Sequence, residues 1–316
     1  MTDLDEFAED VRQGLEASPK ALSSRWLYDE IGSQIFEEIC AVPEYYPTLA
    51  EVEILETIGP ELDSLLPSEF SLVELGSGSA VKARLVIGAL RGRGAKLHYQ
   101  PVDISATALD EATAELRAEF PEVSIEGIVG EYSYGLRWVA EHSGHPKVVM
   151  WLGSNLGNFK RDEGQEFVKE LASNLGEEDR LLIGIDLRKD AKTLELAYDD
   201  PAGVTRRFTL NLITRMNREL DANFDLAGFD HDSHYEVEEG CIVIGLRSLK
   251  DQAVHVGKLG TTYTFAKGEF IHTEYAFKYS PEEIAALAAG AGMRVERTWL
   301  DDKQQYSLQL LSPIRG

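Results

Sequence analysis

The stretch LVELGSGSAVKAR, residues 72–84, decides the fold that we predict for this chain. Its apolar start ends in an acid, Glu74, and two glycines, Gly76 and Gly78, precede a helix-like segment. Strand, glycine turn and helix in this order are typical of nucleotide-binding α/β proteins, because glycine lets the backbone approach a ligand closely. The stretch therefore predicts a nucleotide-type ligand at this turn, although an ordinary strand–helix turn has the same pattern.

The spacing within the turn narrows the kind of nucleotide. The dinucleotide fingerprint G-x-G-x-x-G needs a third glycine, and Val81 occupies that position, which argues against NAD and FAD. A Walker A loop is excluded because no Gly-Lys-Ser or Gly-Lys-Thr follows the glycines. The remaining form, acid-x-Gly-x-Gly after a first strand, is used by doubly wound enzymes that bind S-adenosylmethionine (SAM), which has no pyrophosphate.

Asp103 is a second candidate for binding this ligand. It ends the predicted strand KLHYQPVD, residues 96–103, and ligands of such sheets bind beyond the carboxyl ends of the strands. A carboxylate there can accept hydrogen bonds from both ribose hydroxyls. The structural alternative is a helix N-cap, for which Ser105 is better placed. We therefore predict that Asp103 binds the ribose.

Strand and helix patterns alternate from residue 70 to residue 187. Apolar runs predict strands over 70–75, 96–103, 123–130, 147–154 and 180–187. Helical spacing predicts helices over 80–91, 105–120 and 161–175. A further helix and two strands close the chain, over 281–291, 294–300 and 306–312. The alternation predicts a parallel sheet covered on both faces, with the last two strands as an antiparallel hairpin at one edge.

Residues 188–277 interrupt this alternation. They contain a helical segment at 209–220 and strand-like runs at 241–249 and 269–279, while residues 1–60 are mostly helical. We therefore expect an α/β fold with two parts. A doubly wound, Rossmann-like core covers residues 61–189 and 278–316, and an inserted α+β lobe covers residues 1–60 and 190–277.

The charge of the chain limits its partners. With 55 acidic and 31 basic residues among 316, the net charge is −24, which argues against nucleic-acid binding through a broad basic face. No apolar run is long enough to span a membrane, and the acidic N-terminus lacks the features of a secretory signal. We therefore expect a cytoplasmic monomer with neither a nucleic-acid nor a membrane partner.

The cysteines and histidines predict no metal site. The two cysteines, Cys40 and Cys241, have no CxxC spacing, and the 7 histidines are scattered without an HExxH motif. This cysteine usage is typical of a reduced, cytosolic protein.

Five blocks of the sequence occur in an order that resembles a known family. They are WLYDEIGSQIFEEICAVPEYYPTLAE (26–51), LVELGSGSAVKARL (72–85), WLGSNLGNF (151–159), AYDDPAGVT (197–205) and IHTEYAFKYS (271–280). The chain resembles the histidine-specific, SAM-dependent Nα-methyltransferases of ergothioneine biosynthesis over nearly its whole length. The resemblance implies a class I SAM methyltransferase core with a substrate-binding lobe and SAM as methyl donor. It also implies free L-histidine as substrate, methylated three times on the α-nitrogen to give hercynine.

The resemblance implies a set of cofactor contacts. These are Tyr45 at the methionine end of SAM, Gly76 through its backbone with Lys82 nearby, Asp103 at the ribose, and Glu131 with Tyr132 at the adenine. Glu131-Tyr132 replaces the Asp-Phe pair that is usual in the family. An acid that accepts from the adenine amino group and an aromatic ring that stacks are both retained.

The resemblance also implies a set of substrate contacts. Tyr28 lies near the α-amine and is the catalytic candidate; Asn158 and Tyr198 hold the carboxylate; Glu274 holds the imidazole; and Phe36, Gly153, Ile244 and Ala276 line the pocket. From the residues alone, Tyr28, Tyr45 and Tyr198 could equally be core aromatics, and Glu274 a solvated strand residue.

Two substitutions leave the substrate open. Ala276 stands where the family commonly has Ser, and Ile244 where Met is more usual. Ala276 removes one hydrogen bond to the imidazole, worth about 0.5–1.5 kcal/mol. Nα-methylation of another amino acid, including an aromatic one, is therefore the alternative substrate. A methyltransferase for a protein or another metabolite, and a non-catalytic SAM-binding regulatory protein, are the more distant alternatives.

Overall fold

A computed structural model describes residues 3–76, 78, 80–91 and 96–314, so that Ser77 and Ser79 of the glycine turn lie outside the described residues. The chain divides into two compact units. We call Pro47–Arg188 with Lys278–Gly316 the core unit, and Met1–Tyr46 with Lys189–Phe277 the lobe unit. Within the described ranges, no helix combines the length and the apolar character needed to cross a membrane.

The helices and strands follow in chain order. The helices are α1 (Asp3–Glu16), α2 (Glu30–Cys40), α3 (Tyr46–Leu65), α4 (Val81–Arg91), α5 (Ala106–Glu119), α6 (Tyr132–His142), α7 (Arg161–Ser173), α8 (Ala191–Tyr198), α9 (Val204–Glu219) and α10 (Pro281–Gly290). The strands are β1 (Glu69–Leu75), β2 (Lys96–Asp103), β3 (Ser124–Ile125), β4 (Ile128–Val129), β5 (Lys147–Trp151), β6 (Arg180–Asp186), β7 (Phe229–Glu236), β8 (Cys241–Ser248), β9 (Gln252–Val256), β10 (Thr261–Phe265), β11 (Phe270–Phe277), β12 (Met293–Leu300) and β13 (Tyr306–Pro313).

The core unit is built on one sheet with the strand order β12-β13-β6-β5-β1-β2-β3, and β4 also pairs with β2. Strands β2, β1, β5 and β6 run parallel, and β13 pairs antiparallel with both β6 and β12. The predicted parallel sheet with an antiparallel edge hairpin is confirmed. The predicted strand 123–130 is instead two short strands, since pairing stops at Glu126 and Gly127. Leu75 pairs with Val102, so β1 and β2 end at the same edge.

The two segments of the core unit are joined by a buried ion pair. Lys278 Nζ lies 2.7 Å from Asp186 Oδ2, and both side chains are buried. The backbone continues this contact, because Tyr279 N–H donates to the Asp186 carbonyl and Arg188 N–H donates to the Tyr279 carbonyl, each over 3.0 Å. The chain therefore returns to the core next to the strand from which it departed.

Helix α3 corrects one predicted boundary. Ile54, Leu55, Ile58 and Leu62 are spaced along one face of α3 and are buried in the same cluster as Leu72 of β1. This spacing is that of an amphipathic helix packed on a core. The predicted lobe segment 1–60 was therefore too long: residues 47–60 belong to the core unit.

The lobe unit contains a three-stranded antiparallel sheet in the order β11-β8-β7 and a separate hairpin of β9 and β10. Helix α9 buries Phe208, Leu212 and Met216 in a cluster that also holds Leu246 and Ile271 of the sheet. The predicted helix at 209–220 and the strand-like runs at 241–249 and 269–279 are present. Sequence patterns missed β7, because its sequence FDHDSHYE is mostly polar.

An acid is buried at the end of the first core strand. Glu74 is 3% exposed, and the hydroxyl of buried Tyr99 donates to its carboxylate. Burial raises the pKa of Glu74 to about 7; the Tyr99 hydrogen bond and the Lys82 charge oppose this rise, while the charges of Glu51 and Asp103 add to it. The acid of the glycine-turn motif is therefore largely protonated in the fold below neutral pH.

Replacing Glu74 by glutamine removes this titration. In the wild-type chain the unfolded state ionises near pH 4.5, while the folded state keeps its proton up to about pH 7. The free energy of unfolding therefore falls as the pH rises through this window, by about 3 kcal/mol in total. We expect urea titrations at the two ends of the window to show this loss in the wild type and not in Glu74→Gln. An equal pH dependence of the two proteins would contradict the protonated state.

Candidate active site

Gly76 and Tyr132 meet at the carboxyl end of the first two core strands. Gly76 has a φ of +77°, and a Cβ atom there would lie 2.6 Å from the Tyr132 hydroxyl oxygen. Tyr132 is the first residue of α6, and burial raises the pKa of its hydroxyl to about 12, with Asp103 and Glu74 adding to the rise. Glycine is thus required at position 76 both by the backbone and by the neighbouring ring.

Asp103 is the last residue of β2 and belongs to the same group. Its Oδ1 accepts a hydrogen bond from the Ser105 backbone N–H over 3.0 Å, and α5 begins at the next residue, Ala106. This local contact orients the carboxylate. Glu131 directly precedes α6, and its side chain is exposed. The structure describes every residue of α6, and the Glu131 carboxylate forms no capping hydrogen bond to any of them.

This edge of the core fits a nucleoside-type group such as SAM. A glycine backbone without a Cβ gives close access, Asp103 supplies carboxylate oxygens, and Tyr132 supplies an aromatic ring. The structure thus brings together four residues of the core unit that were predicted at the cofactor or in its motif, namely Glu74, Gly76, Asp103 and Tyr132. Which of them bind SAM remains a prediction.

A buried carboxylate on α3, missed by the sequence predictions, organises the neighbouring loop. Glu51 forms an ion pair of 2.5 Å with Lys82 Nζ and accepts the Gly153 backbone N–H over 3.0 Å at both oxygens. The Tyr306 hydroxyl donates to it over 2.7 Å. A Cβ on Gly184 would lie 2.0 Å from Glu51 Oε1, so only glycine leaves room there. Lys82 and Gly153, predicted at cofactor and substrate, are therefore held by one group.

The sequence does contain a signal for Glu51. It lies on the same helical face as Ile54, Leu55 and Ile58, which are all buried. A charged residue on an otherwise apolar helical face has to find a partner inside the protein, and this marks it as a candidate for a structured polar site.

The segment after β5 is ordered by local hydrogen bonds. Ser154 adopts a left-handed conformation with a φ of +55°, and its hydroxyl accepts the Asp186 backbone N–H over 3.0 Å. Asn155 Nδ2 donates to the Leu152 carbonyl over 2.8 Å. A short 3₁₀ turn, Asn155–Asn158, follows and presents the predicted carboxylate-binding Asn158 at the surface of the core unit.

The predicted aromatic residues of the lobe unit form one cluster. Ring centroids are 5.4 Å apart for Tyr28 and Phe36, 6.4 Å for Phe36 and Tyr45, and 5.9 Å for Tyr45 and Tyr198. Phe208 of α9, which was not predicted at the site, lies 5.2 Å from Tyr28. Residues from five elements, namely helices α2, α8 and α9 and the loops on either side of α2, therefore form one aromatic cluster.

Tyr28 is held in a protonated state. Although 40% of the residue is exposed, burial around its hydroxyl is the main cause that raises the pKa well above its usual value, followed by the charge of Glu274 and then by Tyr45 and Tyr198. At neutral pH the hydroxyl can donate or accept a hydrogen bond, but it is a poor source of a free phenolate base.

Asp29 fixes the loop that carries Tyr28. Its Oδ1 accepts from the Gly32 backbone N–H and from Asn211 Nδ2, each over 2.7 Å, which caps α2 and ties it to α9. Its Oδ2 accepts from Arg218 over 2.5 Å. The Asp of the LYD block is therefore a structural anchor rather than a ligand group.

The strand register determines the direction of Glu274. Strand β11 shifts register between His272 and Glu274, so that Thr273 is the extra residue of a β-bulge. Beyond the bulge, Glu274 pairs with Ile244 and Ala276 pairs with Ile242, and directly opposed residues share one face of the sheet. Glu274 thus lies on the same face as Ile244 and Ala276.

Ile244 and Ala276 are buried in a cluster that includes Tyr45 and Tyr198 as partly buried members. The half-buried Glu274 is therefore an acid beside an aromatic and aliphatic surface, and it is not the fully solvated strand residue that its sequence alone suggested. All six predicted substrate residues of the lobe unit fall in this group: Tyr28, Phe36, Tyr198, Ile244, Glu274 and Ala276.

His231 of β7, which the sequence predictions missed, orients the end of α8. Its Nε2 lies 2.8 Å from the Tyr198 carbonyl oxygen, and its Nδ1 lies 2.9 Å from Thr209 Oγ1. A carbonyl only accepts, so we assign the proton to Nε2 and leave Nδ1 as an acceptor for the Thr209 hydroxyl, which also lies 3.2 Å from the Thr205 carbonyl oxygen. Burial lowers the pKa of His231, which favours this neutral form.

Comparison with known proteins identifies the family. A model described as histidine-specific, SAM-dependent methyltransferase matches residues 7–313. The chain is 38% identical to the histidine N-alpha-methyltransferase of Mycobacterium tuberculosis and 39% identical to that of Mycolicibacterium smegmatis, in each case over 95% of this chain and 93% of the relative. It is 31% identical to ergothioneine biosynthesis protein 1 of Neurospora crassa over 94% of this chain and 34% of that longer protein. The chain therefore belongs to the histidine-specific, SAM-dependent methyltransferase family.

Proposed function

We propose that the protein transfers three methyl groups from SAM to the α-nitrogen of free L-histidine, giving hercynine for ergothioneine biosynthesis. Membership of the family and the names of its relatives support this activity. The observation that carries the choice of substrate is the half-buried Glu274 beside the tyrosines of the lobe unit, because an imidazole is both aromatic and a hydrogen-bond donor. We further propose that the enzyme works in the cytoplasm as a monomer, with no nucleic-acid or membrane partner.

The core unit supplies the proposed SAM contacts. Gly76 offers its backbone, Asp103 accepts from the ribose hydroxyls, and Glu131 with Tyr132 takes the adenine. Lys82, held by Glu51, lies beside the backbone of Gly153 and stabilises the loop that follows β5. When bound, SAM supplies an electrophilic methyl group on a positively charged sulfur.

The lobe unit supplies the proposed histidine contacts. Glu274 accepts a hydrogen bond from an imidazole N–H, and the Tyr198 hydroxyl donates to the substrate carboxylate. Asn158 of the core unit is proposed as the second carboxylate donor. Ala276 and Ile244 contribute apolar walls instead of a second imidazole partner.

Tyr28 is proposed to orient the amine and not to deprotonate it. The α-ammonium must lose a proton to solvent before its nitrogen has a lone pair. Before the first two transfers, the protonated Tyr28 oxygen would accept one remaining amine N–H, which orients the nitrogen lone pair. The dimethylated amine of the third transfer carries no N–H and would be oriented by the carboxylate and imidazole contacts alone. The tyrosine oxygens would stabilise the positive charge that the α-nitrogen gains when it is methylated.

The function is tested with SAM and a panel of free amino acids, followed by mass spectrometry. We expect histidine to gain three methyl groups and the other amino acids, tryptophan and tyrosine included, to gain far fewer. Preferential methylation of another amino acid would identify that one as the substrate. SAM binding without methylation of any of them would contradict the proposed enzyme class.

Replacing Glu274 by glutamine tests the imidazole contact in the same assay. A hydrogen bond to a charged group is worth about 1.5–3 kcal/mol, so we expect KM for histidine to rise roughly 10- to 100-fold while Kd for SAM stays within about twofold. Glu236→Gln, at an exposed acid on β7, is the matched control and should behave as wild type. Unchanged kinetics of Glu274→Gln would remove this residue from the site.

Replacing Gly76 by alanine tests the cofactor edge. The Cβ would be strained at a φ of +77° and would lie 2.6 Å from the Tyr132 hydroxyl. We expect SAM affinity, measured by calorimetry, to fall at least about tenfold, which corresponds to about 1.4 kcal/mol. Gly88→Ala is the control, because that helical position has nothing within 4 Å of an added Cβ. Equal SAM affinity of both variants would contradict the assignment.

Replacing Tyr28 by phenylalanine separates orientation from base catalysis. Loss of one neutral hydrogen bond should lower kcat about 3- to 10-fold. The shape of the pH–rate profile should not change, because the hydroxyl does not titrate near neutral pH. If the fall in rate on the acidic side of the profile disappeared in Tyr28→Phe, Tyr28 would be the base.

A further inference from the structure

Three metal-ligand side chains gather at the amino edge of the core sheet. Glu69 is the first residue of β1, His98 lies near the start of β2, and His145 precedes β5 by two residues. Strand pairing explains why these three residues are close together. Ser71, two residues after Glu69, pairs with His98 of β2 on one side and with Lys147 of β5, two residues after His145, on the other. One ligand atom from each residue lies within 4.8 Å of the other two. The sequence predicted no metal site because these residues form no short motif.

The geometry of the cluster directs both imidazoles at one carboxylate. His98 Nε2 lies 3.7 Å and His145 Nε2 lies 3.9 Å from Glu69 Oε1. The two rings stack with centroids 4.6 Å apart and an interplanar angle of 7°. The Nε2 atom of His98 is buried, and it has no hydrogen-bond partner among the residues that the structure describes. A buried ring nitrogen in this state is costly unless something else satisfies it.

We propose that Glu69, His98 and His145 bind one divalent transition-metal ion, with zinc as the best-fitting metal and water in the fourth position. Two imidazole nitrogens and one carboxylate oxygen form a ligand set that zinc accepts, whereas magnesium and calcium prefer oxygen alone. Ligand atoms around a tetrahedral zinc are about 3.4 Å apart. The two Nε2–Oε1 separations of 3.7 and 3.9 Å need to contract by only a few tenths of an ångström. One imidazole ring must also rotate out of the stack, because a metal ion lies in the plane of each imidazole that binds it. The three side chains are 34–38% exposed, which gives the ion and its water access.

Hydrogen bonds and an ion pair hold the backbone of the cluster in place. Ser143 Oγ accepts the His145 backbone N–H over 3.2 Å and shares a hydrogen bond of 2.8 Å with Ser71 Oγ of β1. Lys147, two residues after His145, forms an ion pair of 2.6 Å with Asp179. The backbone on both sides of His145 is thus held by these contacts, so little of it has to become ordered when the ion binds.

The site is separate from the proposed cofactor edge. Glu69 and His98 lie at the amino ends of β1 and β2, whereas Gly76 and Asp103 follow or end the same strands at their carboxyl ends. A bound ion would join three chain segments of the core unit, and it would therefore stabilise the fold without contacting the transferred methyl group. Lys96 Nζ, 3.9 Å from Glu69 Oε1, competes with the ion for the carboxylate.

The test uses the full chain without an affinity tag, stripped with a chelator and titrated with Zn²⁺, Co²⁺ or Mg²⁺. We expect one zinc ion per chain by calorimetry and visible Co²⁺ bands typical of four or five ligands. Zinc at a hundred times its Kd should raise Tm by about 5 °C, whereas Mg²⁺ should not. No zinc binding at micromolar concentrations would overturn the site.

Variants locate the ion. His98→Gln and His145→Gln, alone and combined, should weaken zinc binding at least about tenfold and abolish the Tm shift. His142→Gln, a histidine of α6 outside the cluster, is the matched control and should bind as wild type. Lys96→Gln should tighten binding about twofold because it removes the competing cation. Wild-type zinc affinity in the double variant would overturn the site, and the Co²⁺ spectrum of the wild type tests it without any substitution.

Discussion

The buried carboxylate of Glu51 is the constraint on which the proposed chemistry of the core depends. A buried charge costs several kcal/mol unless partners compensate it, and here Lys82, the Gly153 backbone and Tyr306 share that task. The same contacts hold the beginning of α4, the end of β5 and the edge hairpin to helix α3. The groups assigned to the cofactor and to the substrate are thus positioned by a residue that contacts neither in our proposal.

The core could be predicted well because each of its signals is local. Continuous apolar runs mark buried parallel strands, and the acid-x-Gly-x-Gly turn marks the end of β1. The predicted boundary between lobe and core at residue 60 was wrong for two reasons. Helix α3 continues through Pro60, although proline normally interrupts a helix. In addition, only tertiary packing shows that the apolar face of α3 is buried in the core. Strand β7 failed because polar residues cover both of its faces, so its pairing with β8 is decided by the partner strand.

The glycine turn and Asp103 could be predicted from the residues themselves, but the substrate side of the candidate site was accessible from the sequence only through resemblance. No periodicity reveals that Glu274 faces the tyrosines, since its direction depends on a bulge, and no composition shows that burial keeps Tyr28 protonated. His231 contacts Tyr198, and Glu51 contacts Gly153, through hydrogen bonds between residues that are far apart in the sequence. Long-range contacts of this kind are properties of the folded chain and leave little trace in short sequence windows.

The bulge at Thr273 also decides which side chains of β11 share a face with Leu246 and Ile244. Ile271, before the bulge, and Glu274, after it, both face the side of the sheet that carries Leu246 and Ile244. Strict alternation from Ile271 would place Thr273 opposite Ile244 and Tyr275 opposite Ile242, and it would turn the Glu274 carboxylate to the other face. A straight strand would thus put the Thr273 hydroxyl in place of the acid opposite Ile244, although no residue would have changed. The direction of this acid is therefore set by strand phasing as well as by the identity of the residue.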